Sequence, residues 1–559
     1  MVIAAEVVIA VTLLVFILIV YGIKSSTIAE PWEFRNLPIT HNFKDFAVAS
    51  TSETCNEEAR MLYLEGHSIY GIAFAMLICL SKKAPHRSGL GGASVALMVD
   101  AKENSCLQTS GYPRLPEWWR SLIAAPAYYP KQFQLSIAVP GESKTLKAFE
   151  SKMDPAERDL LLRKLFRPES SRFAVGADYA REIRHLNTVL NLYGNRYSFL
   201  SDHKGLPHQE SDLNLAAHRF TNYSDWRSAY TKLSEYFPEL GPVFGHTDEQ
   251  QGDYVLQGEV GSIGDELFCM PRKPRSSTFI LKALSELNET VRRETADTGD
   301  PEQDLFFLAY RTVARVTDLA MEESQIQRIP HHVAYTLYDF RGEIARRGQV
   351  PQASFGGNFF TLVDAKKQQA IACTSTLGNS FGSLINSYRD PTIILNNLFD
   401  YASILEHNVV LLNTFVFIPM ISFKNGTDAK IRFTWAGPGG SLERSLDIPR
   451  LITSVIFKIF GGTTLLNATT TPLLFPVGSS RNIHSGGIPY SVVIKLFNMV
   501  NDYWLGKTKQ KAGPVFGLAG VGTRYRFLDS TSGVEVDENG GLNPFFFTND
   551  GDRAVPSGV

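Results

Sequence analysis

Two short apolar runs joined by a polar turn constrain this chain most. Asn358–Val363 is built of aromatic and β-branched residues, the turn Asp364–Gln369 is polar, and Ala370–Thr376 is again apolar. That pattern predicts a β-hairpin. A Gly356-Gly357 pair opens it. Small residues follow it (Gly378, Ser380, Gly382, Ser383), then a segment Ile393–Ser403 that begins with Leu395-Asn396-Asn397.

The order of these pieces resembles the small-subunit start of the gamma-glutamyltranspeptidases. There a Thr-x-His-hydrophobic-Ser-Val-Val strand, a Thr-Ser-Thr-hydrophobic-Asn strand end, Phe-Gly-Ser and Leu-Asn-Asn-x-Met-Asp-Asp-Phe succeed one another. Here Thr374-Ser375-Thr376-Leu377, Phe381-Gly382-Ser383 and Leu395-Asn396-Asn397 stand in that succession. Three other stretches resemble the family: Pro85-His86 with Gly89-Leu90-Gly91-Gly92, Leu135–Glu142 as its Ala-Val-Pro-Gly-Glu signature, and Ala436–Gly440 as its Gly-Ala-Pro-Gly-Gly loop. The resemblance covers about Phe43 to Phe475. It implies an α/β (α+β) fold, the four-layer αββα sandwich of the N-terminal-nucleophile hydrolases, with large-subunit-like 46–353 and small-subunit-like 354–559 regions.

The resemblance also puts a specific residue in question. Matching Phe360-Thr361-Leu362-Val363 to the end of the family's first strand places Gly357 where the family keeps its Thr nucleophile. In the family that hydroxyl cleaves the precursor, and the freed α-amino group then serves as its base. Glycine has no oxygen for either step. Ser354 lies three residues upstream, and an odd shift along a strand turns it to the other face. Thr361 shares the face but lies roughly 13 Å away along an extended strand. They are the two surrogate candidates, both poor.

The glutamyl pocket implied by the resemblance is altered at further positions. Counting from Gly91-Gly92-Ala93 puts Tyr112 where the family has the Arg that clamps the substrate carboxylate, with Arg114 two residues late. Gly378 replaces an Asn, Leu398 a polar side chain, Tyr401 the Asp that holds the substrate amine, and Phe415 and Val416 a Ser-Ser pair. Retained are Thr376, Asp400 and the oxyanion-hole glycines Gly439 and Gly440. A zwitterion buried without a fixed cation, a fixed anion and hydroxyl donors loses several kcal/mol. The expectation is therefore a pseudoenzyme that acts by binding a γ-glutamyl or related small molecule, or a protein partner. The alternatives are an active γ-glutamyl transferase or glutathione hydrolase, and an amidase whose N-terminal nucleophile is Ser354.

Near the start, Val7–Ile23 is continuously apolar and approaches the length that crosses a bilayer. It reads as a membrane anchor, residues 1–24 including a short cytoplasmic tail, followed by a stalk over 25–45; a cleaved signal peptide is the alternative. With the family resemblance this implies a single-pass type II protein whose body is extracellular or luminal. Sequons at Asn222, Asn288, Asn425 and Asn467 point the same way. Lys plus Arg is 55 against 57 for Asp plus Glu, which gives no support to a nucleic-acid partner.

Five cysteines show no metal-ligand spacing, and no metal or cofactor is expected. His331-His332 read as surface, and Trp118-Trp119 as a loop anchor. The resemblance implies a Cys55–Cys79 disulfide around Gly66, with two buried thiols as the alternative. A straight helix would hold the pair about 36 Å apart, so a bridge needs the chain to reverse between them. Three readings concern regular structure alone: Val291–Asp304 as solvated surface, Phe545–Phe547 as a docked edge strand or an exposed patch, and the last ten residues as unstructured.

Overall fold

The computed structural model describes residues 42–113, 138, 140–165, 172–174, 179–180, 182–183, 210–212, 253–274, 276–293, 301–323, 327–328, 355–383, 393–398, 403–405, 409–411, 415–426, 429–441, 446–477, 481–484, 517–520, 530–548 and 554–559. The chain divides into two compact units. The smaller, Met1–Leu37 with Pro472–Tyr525, contains a three-stranded sheet of Leu474–Val477, Arg481–His484 and Gly517–Gly520. The larger, Pro38–Thr471 with Arg526–Val559, holds everything that bears on the hairpin.

Its first sheet is built from β1 (Phe46–Ser50), β2 (Ala93–Asp100), β3 (Ser105–Thr109) and β4 (Val255–Gln257), with three later strands. Its second sheet takes β5 (Glu259–Ile263) and β6 (Glu266–Met270). The hairpin is β7 (Phe355–Asp364) and β8 (Gln369–Asn379); β9 (Met420–Lys424), β10 (Lys430–Ala436), β11 (Ser530–Val536), β12 (Leu542–Thr548) and β13 (Ser557–Gly558) complete the set. The orders are β13-β1-β7-β8-β2-β3-β4 and β12-β11-β10-β9-β6-β5. The pairings recorded within both sheets are antiparallel.

Alternation along the strands explains the layering, because successive side chains point to opposite faces. Phe360 and Leu362 of β7, Ile371 and Cys373 of β8 and Ala96 and Met98 of β2 join one apolar core with four helices. These are α1 (Glu53–Leu64), α2 (Ile69–Lys83), α3 (Glu142–Glu150) and α4 (Pro155–Leu165). Val363, Ala372, Leu97 and Val99 point the other way and meet Ile421, Phe423, Ile431 and Val534 of the second sheet. Beyond that sheet lie α5 (Ser276–Arg293), α6 (Pro301–Glu323), α7 (Asp447–Ile459) and α8 (Leu465–Thr470). On α5 the buried residues Phe279, Ile280, Ala283, Leu284 and Leu287 form one helical stripe. The larger unit is thus helix, sheet, sheet, helix.

The reversal between α1 and α2 occurs at Gly66, which has φ +86°. It brings Cys55 and Cys79 into a disulfide with Cα atoms 5.8 Å apart. A second disulfide, Cys106–Cys269, was not anticipated; it ties β3 of one sheet to β6 of the other. Cys373 is a buried thiol.

One reading needs correction. The chain end is not unstructured: β13 pairs with β1, and Val559 O accepts hydrogen bonds from the N–H groups of Lys44 and Asp45 at 3.0 and 2.8 Å. Val291–Asp304 takes in the end of α5, which runs to Arg293, and the start of α6 at Pro301. The Pro-Gly step before Glu142 opens α3, with Gly141 as its N-cap. Phe545–Phe547 lies in the docked strand β12, with Phe545 and Phe546 buried. Among the described residues no helix is long and apolar enough to cross a membrane. Val7–Ile23, Trp118-Trp119 and His331-His332 lie outside those residues.

Candidate functional site

Gly357 sits on β7 opposite Thr376 of β8, on the face that looks toward the second sheet. The Ala436–Gly440 loop arrives at this point from β10. Thr374 Oγ1 donates to Gly437 O at 2.8 Å, and Thr376 Oγ1 donates to Gly356 O at 3.1 Å while accepting from Gly378 N at 2.9 Å. The space beside Gly357 is occupied by backbone. A Cβ placed there would lie 2.7 Å from Pro438 O, 2.8 Å from Ser375 O and 3.1 Å from Thr376 Cβ. Carbon does not approach carbonyl oxygen that closely, so even alanine displaces main chain.

The other positions of the implied pocket are equally committed to structure. Gly378 has φ +98°, and a side chain there would strike Asn397 Oδ1. That oxygen accepts from Asn379 N at 2.9 Å, so an amide from the Asn396-Asn397 pair stands beside the position where the family has its Asn. Asn396 stitches three segments: Nδ2 donates to Gly91 O at 2.8 Å and to Ala138 O at 2.9 Å, and Oδ1 accepts from Ala138 N at 2.8 Å. Leu398 is buried with Ala93, Val95, Ala138 and Phe417, and Tyr112 packs against them. Where the resemblance implies a guanidinium clamp, the chain has an apolar cluster.

Thr361 is fully buried opposite Ala372, and its hydroxyl has no hydrogen-bond partner. It lies four residues from Gly357 along β7, so it is not brought to the site. Gly439 has φ +76°, and Gly440 pairs with Val416 in a two-stranded ladder that also joins Ser441 to Phe415. Ser354, Arg114, Asp400 and Tyr401 lie outside the described residues, as does Asn222. Asn288 is on α5, and Asn425 and Asn467 are exposed.

The helix-facing side of the hairpin carries a polar network that sequence reasoning missed. Asn358 Nδ2 donates to Ser88 Oγ at 2.7 Å and Leu80 O at 3.2 Å, and Oδ1 accepts from Thr51 Oγ1 at 3.1 Å. Glu142, from the Pro-Gly-Glu signature, is fully buried beside Ser81 and Ser375. Burial pushes its carboxyl up to about 7, against the hydrogen bonds from Ser375, Ser81 and Gly89 N–H, which pull it down. Burial, and then the charge of Glu142, push the Cys373 thiol well above its usual range. The only signal for Glu142 was an acidic residue inside an apolar signature. Among the described residues no group of His, Cys, Asp and Glu gathers as metal ligands.

Cephalosporin acylase from Bacillus halodurans superposes on 95% of this chain and 98% of its own, with a TM-score of 0.62 and 13% identity. The chain has the N-terminal-nucleophile hydrolase fold. The resemblance to gamma-glutamyltranspeptidases, a divergent one, agrees with that fold. A curated relative, Scoloptoxin SSD14 from Scolopendra dehaani, is 21% identical over 409 residues, 65% of this chain and 68% of the relative. Gamma-glutamyltranspeptidase from Helicobacter pylori covers 48% of this N-terminal-nucleophile hydrolase-like chain and 80% of its own, at 14% identity and a TM-score of 0.37, too low to support an argument. No family model matches the chain.

Proposed function

We propose that this chain is a pseudoenzyme of the gamma-glutamyltranspeptidase family, anchored to a membrane and acting by binding. One observation carries the reading: the place of the family's nucleophilic side chain is filled by the carbonyls of Pro438 and Ser375, which would stand 2.7 and 2.8 Å from a Cβ at Gly357. Residues of the family pattern that remain near it serve as structure. Thr376 holds the backbone of Gly356 and Gly378, and Tyr112 and Leu398 share an apolar cluster that cannot charge-pair with a zwitterion. What is bound is therefore more apolar than a free γ-glutamyl group, or is a protein surface.

The deciding measurement is denaturing electrophoresis of the purified chain, deglycosylated, with N-terminal sequencing of every band. A single uncut chain is expected, with no turnover of γ-glutamyl substrates. A new N-terminus at Ser354 would replace this reading with the amidase alternative. One elsewhere before Thr361, accompanied by γ-glutamyl turnover, would restore the transferase.

The body is proposed to face the lumen or the outside, with Val7–Ile23 as the anchor. Two disulfides support an oxidising compartment, since such bonds seldom persist in the cytosol. Asn425 is exposed just after β9; Asn467 is exposed too, but its sequon's Thr469 is buried, with its hydroxyl accepting from Ser454 at 3.2 Å. Treatment with an amidase that removes N-glycans should lower the apparent mass, and Asn425→Gln should remove one step of that shift. No shift in the native chain made by secreting cells would count against the luminal body.

A further inference from the structure

The network on the helix side of the hairpin has no role in the reading above. Glu142 is the first residue of α3, fully buried. Its Oε1 lies 2.8 Å from Ser81 Oγ on α2, and its Oε2 accepts from Gly89 N at 3.2 Å and from Ser375 Oγ on β8. No cation pairs with it among the described residues. The titratable groups on the elements around it are engaged elsewhere: Lys82 donates to Leu165 O and, like Lys83, feels Glu58, while Tyr70 faces Asp100 and Glu103. His86 lies against the rings of Tyr179 and Phe381, Arg87 is not among the groups whose charge acts on Glu142, and Cys373 is a neutral buried thiol.

Counting protons shows what this arrangement requires. Ser81 has one hydroxyl proton and two acceptors at 2.8 Å: Leu77 O one turn back, and Glu142 Oε1. Ser88 Oγ already accepts from Asn358 at 2.7 Å and lies 3.4 Å from Ser81 Oγ. With Glu142 ionised, the Ser81 hydroxyl can serve the carboxylate, because Leu77 O keeps the helical N–H of Ser81. With Glu142 protonated, the acid can donate to Ser81 while Ser81 donates to Leu77 O. Both states satisfy their partners, and what favours the acid is the complete burial of a carboxyl that no cation among the described residues meets.

We propose that Glu142 is a proton latch: carrying a proton, it clamps α2, the Gly89 loop and β8 together, and losing that proton to solvent loosens the clamp. One proton per chain is exchanged, with water as the only other participant. The start of α3 and three donors favour the carboxylate, but burial outweighs them and places the change near pH 7. Ser375 lies between Thr374 and Thr376, the two residues whose hydroxyls hold Gly437 O and Gly356 O. The latch therefore acts on the strand that closes the Gly357 face.

The sign follows from linkage. The carboxyl is raised from 4.5 to about 7 in the folded chain, so its contribution is complete below about pH 4.5 and is lost as pH rises through 7. Denaturant unfolding of the full chain at several pH values from 5 to 8 should show the unfolding constant rising on the order of a hundredfold. Glu142→Gln, whose amide donates to Ser81 at every pH, should remove most of that rise and be the more stable chain at pH 8. An unchanged slope in the variant overturns the proposal. Should the variant fail to fold, Ser375→Ala removes a donor to the carboxylate and should move the centre of the transition upward; a centre that stays in place also overturns it.

Discussion

Gly357→Thr leaves the chain uncut and inactive toward γ-glutamyl substrates, and it destabilises the fold by about 3 kcal/mol. Restoring a missing nucleophile would ordinarily be the simplest test of a dead enzyme. Here the Cβ alone would meet Pro438 O at 2.7 Å and Ser375 O at 2.8 Å, and threonine adds a hydroxyl and a methyl group beyond it. Both obstacles are backbone, one in the strand partner and one in a loop held by Thr374 at 2.8 Å, so neither can turn aside as a side chain would. Gly357→Ala should show the same effect at roughly half the size. Chemical denaturation measures the loss, while electrophoresis and a γ-glutamyl hydrolysis assay measure the rest. A Gly357→Thr chain that cleaves itself and turns over would show that the site is open.

Replacing Cys106 and Cys269 together by alanine costs more stability than replacing Cys55 and Cys79. The first pair closes a loop of 163 residues and the second one of 24. Loop-closure entropy scales with the logarithm of that length, giving about 5 against about 3 kcal/mol as upper figures. Position sharpens the difference. Cys106–Cys269 joins the two sheets across the core that Leu97, Val99, Ile421 and Phe423 fill, whereas Cys55–Cys79 joins two helices already packed on one sheet. Thermal or denaturant unfolding of the two double variants checks the ranking, and an equal or reversed order would mean that the intersheet core holds the layers without the bond.

The hairpin was legible because its information is local: a run of aromatic and β-branched residues, a polar turn, and a second run specify two strands and their pairing. The ordered chain end escaped notice because its pairing with Phe46–Ser50 spans most of the sequence, and a two-residue strand has no periodicity to read. Cys106–Cys269 escaped for the same reason, since spacing says nothing about which strands become neighbours. Glu142 could be seen as anomalous, but its partners Ser81 and Ser375 come from a helix and a strand far away in the chain.

By itself, then, the sequence determined the hairpin and the absence of a hydroxyl at Gly357, and its resemblance implies that the side chains holding a γ-glutamyl zwitterion are replaced. These are properties of residue type and local order. Only the tertiary structure decided that the space beside Gly357 is closed, because the Pro438 carbonyl reaches it from the loop that follows a strand of the other sheet. It also decided that Asn396, Asn397 and Thr376 serve the backbone, since a polar side chain is committed only when folding brings buried donors and acceptors within its reach.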